Sequence, residues 1–95
     1  MAIRSFKDQR LDAILNGRRT PKGFPTNLAK VTRRKLVQID AAARLDDLRV
    51  PPANELEALK GDRSGQYSNR VNDPFRLCFV WTDQGPSEVE FVDYH

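Results

Sequence analysis

The chain has 95 residues, of which 39% are hydrophobic and 31% charged, which excludes disorder and predicts one domain, residues 1–95. Its apolar runs are too short to span a membrane, its start lacks a signal peptide and its lone cysteine excludes an internal disulfide, so we expect a cytoplasmic protein. The net charge is +3, but residues 1–36 hold ten Lys/Arg against two Asp/Glu, a bias typical of polyanion-binding proteins and of solvated helix faces.

The predicted elements begin with a short strand over residues 2–6, followed by a helix. Ser5 and Asp8 form an S-x-x-D capping pattern, and apolar residues from Leu11 onward recur at helical spacing. Asn16 and the glycine after it end this helix, and a basic turn that contains two prolines follows. The first helix is therefore expected to be short.

A second, longer helix is predicted from Thr26, a plausible N-cap, to about Leu45. Apolar residues recur in it at intervals of three and four, which predicts one buried face. The same spacing leaves Lys30, Arg33 and Arg34 pointing outward. This basic face is a candidate surface for RNA phosphates, and docking of a protein partner is the competing use.

The C-terminal half is predicted to form a sheet. Two consecutive prolines, Pro51 and Pro52, cannot continue a helix. After them, strands separated by short turns are predicted at residues 56–60, 67–71, 75–82 and 88–93. The fold class is therefore α+β, with two N-terminal helices packed on one face of a mainly antiparallel sheet of four to five strands.

Strand alternation predicts a cluster of cations on the open face of this sheet. Arg76 alternates with the apolar residues of its strand, and Arg70 lies on the other side of the tight turn before it. Lys60 and Arg63 bracket the neighbouring turn. Four converging cations suit a phosphodiester, because guanidinium groups bind non-bridging oxygens and stabilise a charged transition state. Surface ion pairs with neighbouring carboxylates are the alternative interpretation.

Proton-transfer groups are predicted near these cations. The last strand leads to Asp93, Tyr94 and His95, and Glu57 lies on the strand predicted at residues 56–60. RNA cleavage without a metal needs a base for the ribose 2′-OH, a cation for the phosphate and an acid for the leaving oxygen. Asp93, His95 and Glu57 can move protons, while Tyr94 or Tyr67 can stack on a base. No ligand spacing predicts a metal, and no motif predicts a cofactor.

Seven blocks of the sequence form a recognisable pattern, in chain order: Ile3-Arg4-Ser5-Phe6, residues 47–57, Lys60-Gly61-Asp62-Arg63, residues 68–70, Asn72-Asp73, Phe75-Arg76-Leu77-Cys78-Phe79 and Val92-Asp93-Tyr94-His95. Over most of the chain this pattern resembles the HigB-type toxins of the RelE/ParE superfamily. The resemblance implies a RelE-like microbial RNase fold. It also implies the toxin of a type II toxin–antitoxin module, a ribosome-dependent mRNA endoribonuclease (mRNA interferase) that uses metal-independent 2′-OH attack.

The resemblance also implies partners. They are a HigA-type helix-turn-helix antitoxin, mRNA on the bacterial 70S ribosome with ribosomal RNA contacts, and operator DNA indirectly through the antitoxin. No membrane contact is implied, and the expected location is the bacterial cytoplasm.

Site residues are assigned by matching positions to the family. The residues that match the family's catalytic set are Lys60, Arg76, Asp93, Tyr94 and His95. By the same resemblance, Arg63 and Arg70 are expected to grip phosphate. The residues themselves add Tyr67, which can stack on a base, and Arg33 and Arg34 of the basic helix face to the expected RNA- or phosphate-binding set. Where some members carry a catalytic histidine, this chain has Glu57 or a neighbour. Either the Glu57 carboxylate serves as the base or His95 acts alone, and Glu57 is included in the catalytic set.

Two departures from the family pattern keep other functions open. Glu57 replaces the histidine, and Asn69 stands where members place an apolar strand residue. If Asn69 points into the core, it needs hydrogen-bond partners or costs about 1–3 kcal/mol. The alternatives are a non-enzymatic ParE-like gyrase inhibitor and a catalytically weakened toxin that binds RNA or the ribosome. The lone Cys78 lies in an apolar strand and is expected to be buried and inert.

Overall fold

Helices occupy the N-terminal half of the protein and strands the C-terminal half. The structure is a computed structural model, and it describes residues 2–93. The helices and strands are α1 (Arg10–Leu15), α2 (Ala29–Ala41), β1 (Glu57–Ala58), β2 (Gln66–Arg70), β3 (Phe75–Thr82) and β4 (Gly85–Asp93). Short 3₁₀ turns link them at Thr26–Leu28, Leu45–Arg49, Pro52–Asn54 and Gly61–Arg63. None of the helices within residues 2–93 is long and apolar enough to cross a membrane.

The strands form one antiparallel sheet in the order β1-β2-β3-β4. Each strand pairs with its neighbour in sequence, because the connecting turns are too short for any other path. This confirms the α+β class and the antiparallel sheet, which has four strands. Of the predicted helices only α2 is long, since α1 contains six residues.

The core lies between α2 and one face of the sheet. Leu36 and Ile39 of α2 and Leu77 and Phe79 of β3 are all fully buried in one hydrophobic cluster. Because alternate side chains point to opposite faces of a strand, the neighbours of Leu77 and Phe79 point away from α2. We call this other side the open face; it carries Ser68, Arg70, Arg76, Cys78 and Glu90.

A bulge in β4 attaches the N-terminal segment to the sheet. The β3–β4 register shifts between Cys78 and Val80, and Glu88 at the bulge has a positive φ of 52°. Val89 then accepts a hydrogen bond from Lys7 N at 2.9 Å and donates one to Ser5 O at 3.1 Å. The predicted strand over residues 2–6 is wrong: only Phe6 forms a bridge, in parallel with Val89.

Side-chain hydrogen bonds explain two wrong helix boundaries. α2 ends at Ala41 and not near Leu45, because Asp47 Oδ2 accepts hydrogen bonds from the amides of Ala43 and Arg44, each at 3.0 Å. Ser5 does not cap α1, since its Oγ accepts a hydrogen bond from Glu88 N at 2.9 Å.

The other element boundaries shift by smaller amounts. Thr26 opens a 3₁₀ turn without a side-chain cap, and α2 starts three residues later. β1 is only Glu57–Ala58, shorter than the predicted residues 56–60. β3 matches its predicted bounds, whereas β2 starts one residue early and β4 three residues early.

Candidate active site

Arg76 lies at the centre of the open face and is held in one orientation. Only 8% of it is exposed. Its Nε donates to Ser68 Oγ at 2.7 Å, and its Nη2 donates to Glu55 O at 2.5 Å. Glu55 adopts the left-handed backbone conformation, with φ of 44°. The guanidinium is thus fixed by β2 and by the segment before β1, independently of any bound molecule.

One carboxylate, that of Glu57, lies beside Arg76 on the β1 side, and two others contact the neighbouring Arg70. Glu57 Oε2 lies 3.9 Å from Arg76 Nη2, and 59% of the Glu57 side chain is exposed. Arg70 is paired with Arg76 across β2 and β3, as the turn predicted. Glu55 Oε2 lies 3.3 Å from Arg70 Nε, and Asp73 Oδ1 accepts from Arg70 Nη2. The structure therefore brings Arg70, Arg76 and Glu57 together, but with carboxylates already in contact.

A second arginine–carboxylate pair lies on the β4 side of the open face. Arg63 Nη1 donates to Glu90 Oε1 and, at 3.0 Å, to Gln66 Oε1. Glu90 Oε2 also lies 3.7 Å from Lys7 Nζ. The Glu90 side chain is 14% exposed and that of Arg63 33%, so this pair is better shielded from water than the pairs of Arg70.

Cys78 forms the floor between these two groups. It pairs with Ser68 of β2 on one side and with Glu90 of β4 on the other, and it is fully buried. Burial raises the pKa of its thiol, Glu90 adds to this rise, and Arg63 and Arg76 act in the opposite direction. A buried thiol that stays protonated is a poor nucleophile, in agreement with the inert role predicted for Cys78.

The other predicted catalytic residues lie at the edges. Lys60 is exposed just before the 3₁₀ turn Gly61–Arg63, and it makes no ion pair with any described residue. Asp93 is the last residue of β4, paired with Phe75 and exposed. Tyr94 and His95 lie outside the described residues.

Three predicted RNA-binding residues are not brought to the open face. The ring of Tyr67 packs near that of Phe79, with centroids 6.4 Å apart, on the core side of β2. Arg33 and Arg34 lie on the outer side of α2. They help to line a shallow groove of about 360 Å³, which we call the α2 groove. Its residues are Lys30, Arg33, Arg34, Val37 and Gln38.

Sequence reasoning missed Ser68, Glu55 and Glu90. Glu90 alternates with the apolar Val89 and Phe91, so the strand pattern did contain the signal that places it on the open face. Nothing comparable marks Glu55, whose backbone carbonyl contacts Arg76 across 21 residues of sequence.

The arrangement is suited to binding an anion and moving protons. Arginine forks bind phosphate oxygens, and adjacent carboxylates can take up or supply a proton. Within residues 2–93, no three His, Cys, Asp or Glu side chains form a group that could hold a metal ion.

Comparison with known proteins adds an independent finding. Residues 4–95 match a family described as HigB-like toxin, the RelE-like toxin of the type II toxin–antitoxin system HigB. A protein named Toxin HigB-1 from Vibrio cholerae serotype O1 is 37% identical over 90 residues, which cover 95% of this chain and 94% of that protein. An uncharacterized protein from Haemophilus influenzae is also 37% identical over 90 residues, which cover 95% of this chain and 88% of that protein.

Proposed function

Since the chain belongs to the HigB-like family of type II toxin–antitoxin toxins, we propose that it is a ribosome-dependent mRNA endoribonuclease. The observation that carries this proposal is the fixed Arg76 guanidinium on the open face, with Glu57 3.9 Å away. A pre-oriented cation beside a carboxylate supplies charge stabilisation and proton transfer, the two needs of metal-independent RNA cleavage.

The proposed reaction uses the ribose of the substrate as the nucleophile. Glu57 takes the proton of the 2′-OH, and the resulting oxyanion attacks the adjacent phosphorus. Arg76 and Lys60 neutralise the non-bridging oxygens as charge develops on them. The bond to the 5′-oxygen breaks, and His95 gives that oxygen a proton, which leaves a 2′,3′-cyclic phosphate and a 5′-hydroxyl. Asp93 and Tyr94 complete the site, Tyr94 by stacking on a base.

As a type II toxin, the protein has an antitoxin partner. We propose that this partner is a HigA-type helix-turn-helix protein that reaches operator DNA and neutralises the toxin. The substrate is mRNA on the bacterial 70S ribosome. Arg63 and Arg70 grip its phosphates on the open face, whereas Arg33 and Arg34 contact ribosomal RNA from the α2 groove.

The test is mapping of 5′ ends on an mRNA translated in a reconstituted bacterial system, beside a ribosome-free control. New ends are expected only during translation, and they should carry a 5′-hydroxyl that requires kinase treatment before ligation. His95→Ala should abolish these cuts, and Glu57→Gln should slow them about 10²-fold or more, the usual cost of losing general acid–base catalysis. Glu88→Gln removes the same charge from an exposed position on β4 and should leave the cuts unchanged.

Intact mRNA, in the presence of a folded protein that stops growth, would contradict the nuclease function. Accumulated gyrase–DNA cleavage complexes would then identify a ParE-like gyrase inhibitor. Salt-sensitive co-sedimentation with ribosomes, without new RNA ends, would identify a catalytically silent RNA-binding toxin.

A further inference from the structure

Arg63 contacts the open face through Glu90, so its guanidinium is already hydrogen-bonded to a carboxylate of its own chain. Glu90 Oε1 accepts a hydrogen bond from Arg63 Nη1, and the two residues lie 27 positions apart in sequence. A carboxylate and a phosphodiester bind a guanidinium in the same way, through charged oxygens that accept N–H groups. Only one of them can accept from a given N–H at a time. Glu90 therefore occupies a position that a phosphate oxygen would take.

The structure also distinguishes Glu90 from the other carboxylates of the open face. Arg70 is paired with Glu55 and Asp73, whose side chains are 60% and 93% exposed, so water and counterions compete with those pairs. Glu90 is only 14% exposed, and its second oxygen lies 3.7 Å from Lys7 Nζ. An ion pair shielded in this way is screened less, and it opposes an incoming anion more strongly.

We propose that Glu90 is a carboxylate latch on Arg63, which RNA must displace in order to bind the open face. This inference rests on the proposed function, because it takes an RNA phosphate as the competing anion. Two contacts make the exchange feasible. Gln66 Oε1 accepts from Arg63 Nη1 at 3.0 Å and keeps the arginine oriented, while Lys7 remains beside Glu90 as an alternative partner. Glu90 thus sets how tightly the toxin holds RNA.

The latch predicts that removing the charge of Glu90 tightens RNA binding. Binding of a short fluorescein-labelled single-stranded RNA is measured by anisotropy at low salt for the wild type, Glu90→Gln and Glu88→Gln. Glu90→Gln should bind about three- to ten-fold tighter, which corresponds to loss of one shielded ion pair as competitor. Glu88→Gln makes the same change in net charge two residues away and should shift the affinity by less than two-fold. Thermal melting confirms that each variant is folded.

A double-mutant cycle with Arg63→Gln tests whether the gain passes through Arg63. In that background, Glu90→Gln should give no further tightening. Equal gains from Glu90→Gln and Glu88→Gln, a gain that persists without Arg63, or weaker binding by Glu90→Gln would each overturn the latch. Cleavage during translation is scored separately. If the wild type cleaves mRNA but Glu90→Gln leaves the RNA affinity unchanged, only the latch is refuted. If the wild type does not cleave mRNA, the nuclease function is refuted.

Discussion

The contacts of Arg76 show how a single residue can be prepared for catalysis. Its guanidinium is tied to Ser68 Oγ and to Glu55 O, and it is almost completely buried. A charged group that is already oriented does not have to reorganise as the transition state forms, which is the main source of electrostatic catalysis. Two hydrogen bonds from different guanidinium nitrogens also make the site specific for arginine, because a lysine presents one point charge.

This geometry predicts a large effect of Arg76→Lys. Lysine keeps the charge but cannot reach Ser68 Oγ and Glu55 O together, so we expect the single-turnover cleavage rate to fall by about 10²-fold. The control is Arg49→Lys, which alters an exposed arginine paired with Asp46 on a 3₁₀ turn and should cleave at the wild-type rate. The cleavage rates of Arg76→Lys and Arg49→Lys are measured well below the melting temperatures of both variants. A wild-type rate for Arg76→Lys would show that charge alone suffices and that the fixed geometry has no catalytic role.

At the scale of elements, the sequence predicted what depends on periodicity and missed what depends on individual side-chain hydrogen bonds, even local ones. β3 was predicted with its observed bounds because Phe75, Leu77 and Phe79 alternate without interruption. The end of α2 was missed because Asp47 caps amides beyond Ala41, and capping of this kind leaves no periodic signal.

In the candidate site too, the strand pattern and the turns predicted which residues lie together, whereas some individual side-chain partners were missed. The turn between β2 and β3 correctly predicted that Arg70 and Arg76 lie side by side. The carboxylate partners of these cations were only partly foreseen. The contact of Glu55 with Arg70 depends on the path of the segment before β1, whereas the place of Glu90 follows from strand alternation and was overlooked. Tyr67 is predicted to bind RNA because its ring can stack on a base, although its alternation with Ser68 already places it on the opposite face.

Two buried asparagines connect the elements, and they predict opposite effects on stability. Asn69 of β2 lies opposite Leu77 on the core side, is fully buried, and neither its Oδ1 nor its Nδ2 has a partner among the described residues. Asn54 is equally buried, but its Oδ1 accepts from Lys35 Nζ at 2.6 Å and its Nδ2 donates to Leu48 O at 3.1 Å. The departure noted at Asn69 is therefore a real cost in the folded protein.

Asn69→Leu should raise the free energy of unfolding by about 1–3 kcal/mol, because it replaces two unpaired polar atoms by methyl groups on a side chain with the same number of heavy atoms and the same branching. For a domain of this size, each kcal/mol raises the melting temperature by about 4–8 °C.

Asn54→Leu is the matched control and should lower stability. Burial lowers the pKa of Lys35, Arg34 and Arg70 lower it further, and loss of Asn54 would leave this costly charge unpaired. Urea denaturation measures the free energy of unfolding of both variants. If Asn69→Leu lowers it, Asn69 has a hydrogen-bond partner in the folded protein and the prediction is wrong.

For the whole molecule, within residues 2–93, the arginines of the open face and the cations of the α2 groove differ in whether carboxylates contact them. Arg63, Arg70 and Arg76 of the open face all contact carboxylates. In the α2 groove, by contrast, Lys30, Arg33 and Arg34 form no ion pair with described residues. Phosphates attract unpaired cations from a distance, whereas paired cations act only once their carboxylates are displaced. On the proposed function, we therefore expect the two surfaces to serve different steps, the α2 groove the capture of RNA and the open face its cleavage.

This separation predicts that substitutions in the α2 groove change KM, whereas substitution of Lys60 changes kcat. Arg33→Gln combined with Arg34→Gln should raise KM for translated mRNA and leave kcat unchanged. The salt dependence of ribosome binding should weaken by the amount that corresponds to a loss of about two phosphate contacts. Lys60→Gln should instead lower kcat by about 10²-fold at unchanged KM, because it removes charge that acts in the transition state. The charge-matched control is Arg44→Gln combined with Arg49→Gln, two exposed arginines paired with Asp46. If the α2 pair lowers kcat, or the control raises KM equally, the two surfaces do not divide the work and net charge alone drives association.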